Sequence, residues 1–72
     1  MNSREKEIIK VIKNVTGTQK EIDLNDSLIY DLGMSSFEMC MLAYELETKS
    51  CTTVDYKKFN NATKVKDLCD LL

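Results

Sequence analysis

Apolar residues recur at helical spacing in three places along the chain. Ile8, Ile9, Ile12 and Val15 fall at i, i+1, i+4 and i+7, and Val11 widens the same face. This predicts a helix from Asn2 or Ser3 to about Val15. Asn2 and Glu5 have capping-box spacing at its start, and Gly17 reads as its stop. Lys6, Lys10 and Lys13 line another side and read as a solvated face. Met39, Leu42, Ala43 and Leu46 form the core face of a second helix, from Ser36 to about Lys49. Val65, Leu68, Cys69 and Leu72 form the face of a last helix capped by Thr63. Between these, Cys51 to Val54 is β-rich in propensity but too short and isolated for a sheet. Tyr56 and Phe59 are three apart and predict one short helical turn, with Lys57 and Lys58 toward solvent.

Residues 18–34 carry no sustained helical period. Ile22, Leu24, Leu28, Ile29 and Leu32 are spaced like anchors that pin a loop onto a core, and Asp23, Asn25 and Asp26 suit its turns. A loop this long in a small domain is functional or disordered, and the anchors argue for order. The expected fold is therefore all-α: a small four-helix bundle of three longer helices and one short one, with a long ordered loop between the first and second. Residues 1–72 make a single domain.

The second helix carries more apolar surface than one buried face needs. Phe37, Cys40, Met41 and Tyr44 spread over its remaining arc. Phe37 and Met41 either pack in a small core or stay exposed as a docking patch, a use to which flexible, polarisable methionine is suited.

Just ahead of that helix lies Asp31-Leu32-Gly33-Met34-Ser35-Ser36-Phe37-Glu38. Gly33 is one of two glycines in the chain and permits backbone angles that other residues avoid. Ser35 reads as an N-cap, and Glu38 completes a capping box. Ser36 then takes the first helical position, where the helix dipole and unpaired N–H groups favour an anion. A serine that carries a phosphate diester suits this place.

Composition narrows the function further. Seventy-two residues bury only about 60% of the unfolded surface, which leaves little room for a deep catalytic cleft. Ten basic and 12 acidic residues give a net charge of −2 and no electrostatic case for nucleic acid. A helix-turn-helix reading fails on the same ground, since residues 36–49 hold one lysine and three acids. Cys40, Cys51 and Cys69 lack metal-ligand spacing, and there is no histidine to complete a metal site or activate a nucleophile. They read as reduced thiols, with Cys51 and Cys69 buried or half-buried. No apolar run is long enough for a signal peptide or membrane span, so the expected location is the cytoplasm. Met1 and the compact length suit a free-standing monomer.

Asp31-Leu32-Gly33, then Ser36, an apolar residue and an acid, resembles the modification site of acyl and peptidyl carrier proteins, whose usual form is Asp-Leu-Gly-x-Asp-Ser-Leu-Asp. The resemblance extends to the order of helices and to Asn60-Asn61-Ala62-Thr63-Lys64-Val65, which is similar to the opening of the family's last helix. It implies a carrier without catalysis of its own, with 4'-phosphopantetheine from coenzyme A attached to Ser36. The arm's terminal thiol would hold acyl or aminoacyl groups as thioesters in fatty acid, polyketide or nonribosomal peptide biosynthesis. Implied partners are a phosphopantetheinyl transferase, a loading ligase or adenylation enzyme, and downstream synthase or condensing enzymes. Gly33 would let the transferase and the arm come close. The family's docking surface carries over to Phe37, Met41 and Tyr44, with Glu38, Glu45 and Glu47 as acidic companions.

The departures matter as well. Ser35 stands where Asp is commonest and Phe37 where Leu is commonest. Met41, Thr48 and Lys49 make the second helix less acidic than in many fatty-acid carriers, which favours a specialised polyketide or nonribosomal peptide pathway. Asp26-Ser27-Leu28 matches the family's literal Asp-Ser-Leu string better, but Leu-Ile-Tyr-Asp-Leu-Gly follows it and not a helical face. Ser36 is therefore the expected site over Ser27 and Ser35. The competing function is a helical protein-interaction module with no cofactor, in which the exposed residues of the second helix are the whole activity.

Overall fold

A computed structural model of the chain describes residues 2–51, 53–60 and 62–70. Helix α1 spans Ser3–Thr16. Its cap is the predicted reciprocal pair: the Asn2 side chain accepts from the Glu5 N–H at 2.8 Å, and the Glu5 carboxylate accepts from the Asn2 N–H at 2.9 Å. Gly17 ends it in the left-handed region, with φ 71°. Ile8, Val11 and Ile12 are buried, and Ile9 and Val15 pack half-buried against them.

Helix α2 spans Ser36–Ser50 and buries Met39, Leu42, Ala43 and Leu46, the four predicted core positions. It packs on α1. The Lys49 ammonium meets the Glu7 carboxylate at 2.7 Å between the two helices. That hydrogen bond, with the lysine's charge, holds the Glu7 carboxyl below its ordinary range. Its contribution is therefore present above the normal carboxylate pKa and is lost as pH falls through the lowered one. Both side chains are well exposed, so the pair is a minor part of stability.

The expected short turn is a 3-10 helix, Tyr56–Lys58, that packs on α2. The rest of the tail departs from expectation in two respects. Helix α3 spans only Val65–Cys69, so it is not a third long helix, and Leu72 lies outside the described residues. Thr63 does not cap it. Its hydroxyl instead accepts from the Asn60 N–H at 2.9 Å, and Lys64 occupies the cap position. Lysine offers no acceptor, so other residues satisfy the first turn of α3. The Val65 N–H bonds the Asp26 carbonyl at 3.0 Å, and the Lys66 N–H bonds the Leu24 carbonyl at 2.9 Å. These bonds let a five-residue helix, too short to stand alone, hold its place.

The same bonds tie down the loop of residues 17–35. Leu28 N–H donates to the Thr63 carbonyl at 3.1 Å, and Ser27 and Lys64 form an isolated antiparallel bridge. Among the described residues this bridge is as far as β structure goes. Ile22, Leu28 and Met34 are buried, and Leu24, Ile29 and Leu32 pack against the core. One apolar cluster thus joins both long helices, the loop and α3. Cys51 corrects another expectation: it is exposed, not buried, and ends α2 as a left-handed cap with φ 59°. Cys69 is half-buried, and burial pushes its thiol pKa up.

Candidate functional site

The residues ahead of α2 form a turn that holds itself together from both sides. The Ser27 hydroxyl accepts from the Tyr30 N–H at 3.1 Å, and the Asp31 carboxylate accepts from the Ser27 N–H at 2.7 Å. The Ser27 carbonyl takes the N–H groups of Asp31 and Leu32, each at 3.1 Å. Ser27 is 8% exposed. This serine is an internal fastener of the turn.

Gly33 closes the turn. Its N–H donates to the Ile29 carbonyl at 3.1 Å, and its φ is 63°, the geometry of a left-handed helix stop. A Cβ built there would meet nothing within 4 Å, so backbone angle and not space selects glycine. Gly33→Ala is expected to cost about 1–2 kcal/mol in a urea titration. Met34 then plunges into the core, 4% exposed, and its N–H bonds the Leu28 carbonyl at 3.0 Å. With Asp31 tied back, Gly33 in its turn and Met34 anchored, the chain leaves the core at a fixed angle into Ser35.

Ser35 caps α2 as its sequence predicts. Its hydroxyl accepts from the Glu38 N–H at 3.2 Å, and the Glu38 carboxylate accepts from the Ser35 N–H at 2.9 Å. A serine in the place where Asp is commonest thus loses nothing as a cap, since both residue types accept the same bond. Ser35→Ala is expected to lower stability by about 0.5–2 kcal/mol and leave Ser36 able to react. An unchanged denaturation midpoint would misplace the helix start.

Ser36 is the first residue of α2 and is exposed. Its hydroxyl has no hydrogen-bond partner among the described residues, and neither its own N–H nor that of Phe37 is taken up by the turn. A free hydroxyl beside open N–H groups at a helix start suits attachment of a phosphate ester. Phe37 is 72% exposed, Tyr44 68% and Met41 41%. These values decide between core packing and an outward face in favour of the latter, and explain why α2 is apolar on two sides. Glu45 is exposed beside them, whereas Glu38 is half-buried and folded back onto the cap.

Two features escape a reading of the sequence. Tyr30 is 71% exposed just ahead of the turn; its signal is an aromatic residue between two apolar anchors, Ile29 and Leu32. The tie from Asp31 to Ser27 is the other, and its four-residue spacing within a polar turn is the only local hint. The described residues hold no cluster of His, Cys, Asp and Glu able to bind a metal, and no helix long and apolar enough to cross a membrane.

No family sequence model matches the chain, and no curated protein is significantly similar to it. Comparison of folds does find a match. A solved structure from Mycobacterium tuberculosis, described as that of a candidate acyl carrier protein, superposes with a TM-score of 0.80 at 27% sequence identity, over 92% of this chain and 89% of that one. In its fold, as in the Asp31-Leu32-Gly33 turn that leads to Ser36, the chain resembles acyl carrier proteins.

Proposed function

We propose that the chain carries a 4'-phosphopantetheine arm on Ser36 and serves as a non-catalytic tether for acyl or aminoacyl groups. The observation that carries this reading is the exposed, unpartnered Ser36 hydroxyl at the start of α2, held there by the turn of residues 27–34. The arm, when present, supplies a thiol that holds cargo as a thioester. The chain's own residues supply position. Gly33 and Met34 fix the entry angle, the Ser35–Glu38 box fixes the helix start, and the open N–H groups of Ser36 and Phe37 face the phosphate. No base is needed within the chain, because a separate transferase activates the hydroxyl. This division of labour is usual for group-carrying cofactors.

The partners that follow are a phosphopantetheinyl transferase, a loading ligase or adenylation enzyme, and synthase or condensing enzymes, all acting from the cytoplasm on a single domain. Phe37, Met41 and Tyr44 form the docking stripe, with Glu45 at its edge and Glu38 at its head. The modest acidity of α2 points to polyketide or nonribosomal peptide biosynthesis over fatty acid synthesis. The test is intact mass after incubation with coenzyme A and a promiscuous phosphopantetheinyl transferase, with the expected result a gain of one phosphopantetheine group. The exposed stripe favours one second reading, a cofactor-free interaction module. A folded chain that never gains mass would leave that reading in place of the carrier.

A further inference from the structure

We propose that α1 and the start of the loop form a second docking surface, which takes an acidic segment of a partner protein. The inference stands whether or not Ser36 carries an arm. Lys6, Lys10 and Lys13 fall at i, i+4 and i+7 and share one face of α1 over about 10 Å. Sequence alone gives them no more than a solvated face. The structure sets them along a groove of about 430 Å³, where α1 meets Glu21 and Ile22 of the loop. Half-buried Ile9 and buried Ile22 supply an aliphatic floor. The lysine stems add hydrocarbon to the wall and leave their ammonium groups in water. No carboxylate among the described residues pairs with any of the three, whereas Lys49 has Glu7. A chain with a net charge of −2 thus keeps three unpaired cations on one groove, with Glu21 the one acid that lines it. Like charges three and four residues apart on a helix repel, and carboxylates laid across them relieve that cost.

Charge complementarity selects an anionic occupant, and the groove narrows the choice. A membrane surface needs apolar side chains to insert, and the large exposed ones, Tyr30, Phe37, Met41 and Tyr44, all lie outside the groove. A second copy of this chain would bring acids of its α2 to α1, a head-to-tail contact that leads to rings or open chains and not to a closed pair. A small free anion finds no enclosing cage among lysines on flexible, exposed stems. A peptide with carboxylates on either side of an aliphatic residue meets both the cations and the floor. The groove shares no lining residue with Ser36 or with the outer stripe of α2, so a partner seated here uses a different surface from an enzyme at the serine.

The probe is a synthetic Glu-Glu-Leu-Glu-Glu peptide, titrated into the isotope-labelled chain and followed by amide NMR shifts. Shifts are expected along the Lys6 to Asn14 face and at Glu21 and Ile22. The Kd should rise about fivefold or more between about 50 and about 300 mM NaCl, because salt screens exposed charge pairs. Lys10→Glu should raise Kd about fivefold or more, while Lys58→Glu, at an exposed lysine outside the groove, should change it less than about twofold. Both substitutions change the net charge equally, so a general field effect would move both alike. Equal losses in the two variants, shifts confined to α2 or scattered over the surface, or no shift at about 1 mM peptide would overturn the proposal. Binding to phosphatidylserine vesicles by a chain that ignores the peptide would give the groove to a membrane and overturn it too. So would a self-association in sedimentation that Lys10→Glu abolishes, which would give the groove to a second copy.

Discussion

Ser36→Ala is expected to abolish the mass gain outright, and Ser27→Ala to keep it while weakening the fold. The two serines lie nine residues apart in similar strings, yet they occupy opposite environments. Ser36 is exposed with no partner for its hydroxyl among the described residues, so its removal should shift stability by no more than about 0.5 kcal/mol. Ser27 is 8% exposed, and its hydroxyl accepts from the partly buried Tyr30 N–H. Its loss strands that donor at a cost of about 1–3 kcal/mol. For a domain of this size, that is a fall in Tm of about 4–8 °C for each kcal/mol. Mass spectrometry and thermal melts of the two variants thus give a crossed pattern. A gain lost in folded Ser27→Ala but kept in Ser36→Ala would transfer the arm to Ser27 and dismantle the site.

The parts of this architecture that sequence reveals are those set by local rules. Asn2 with Glu5, and Ser35 with Glu38, each satisfy helix-end N–H groups within four residues, so the starts of α1 and α2 follow from spacing alone. The core faces follow because Ile8, Ile12, Leu42 and Leu46 repeat at the helical period. What sequence conceals is decided by bonds between distant residues. Thr63 has the right chemistry for a cap, but the carbonyls of Leu24 and Asp26, some 40 residues earlier, take the first N–H groups of α3 and the helix starts at Val65. Cys51 has the composition of a core residue, but α2 needs a left-handed stop at that point and the side chain is left outside. Glu47 reads as a surface acid until the returning chain brings the Val54 N–H to it. The site divides the same way: Ser36 is legible from its cap and helix, whereas the ties that occupy Asp31 and Glu47 depend on how the chain folds back.

Leu42→Ala and Phe37→Ala are expected to separate the two faces of α2. Leu42 is 0% exposed at the centre of the cluster shared by the long helices. Truncating it removes burial and leaves a cavity, a loss of about 2–5 kcal/mol. A chain of this length has only about 4–10 kcal/mol in total, so Tm should fall by at least about 10 °C. Phe37 carries a larger side chain, but at 72% exposure it has little burial to lose, and its removal should alter stability by no more than about 0.5 kcal/mol. Modification should respond in the opposite order. At a temperature where both variants are folded, Leu42→Ala should be modified with a KM near the parent's, because its defect lies behind the proposed docking face. Phe37→Ala, though as stable as the parent, should be the poor substrate. A Phe37→Ala chain that melts early would place the ring in the core and remove the docking stripe. A Leu42→Ala chain with parental Tm would mean that α2 does not pack on α1 through this residue. The comparison therefore tests the orientation of the helix about its own axis, on which the presentation of Ser36 depends.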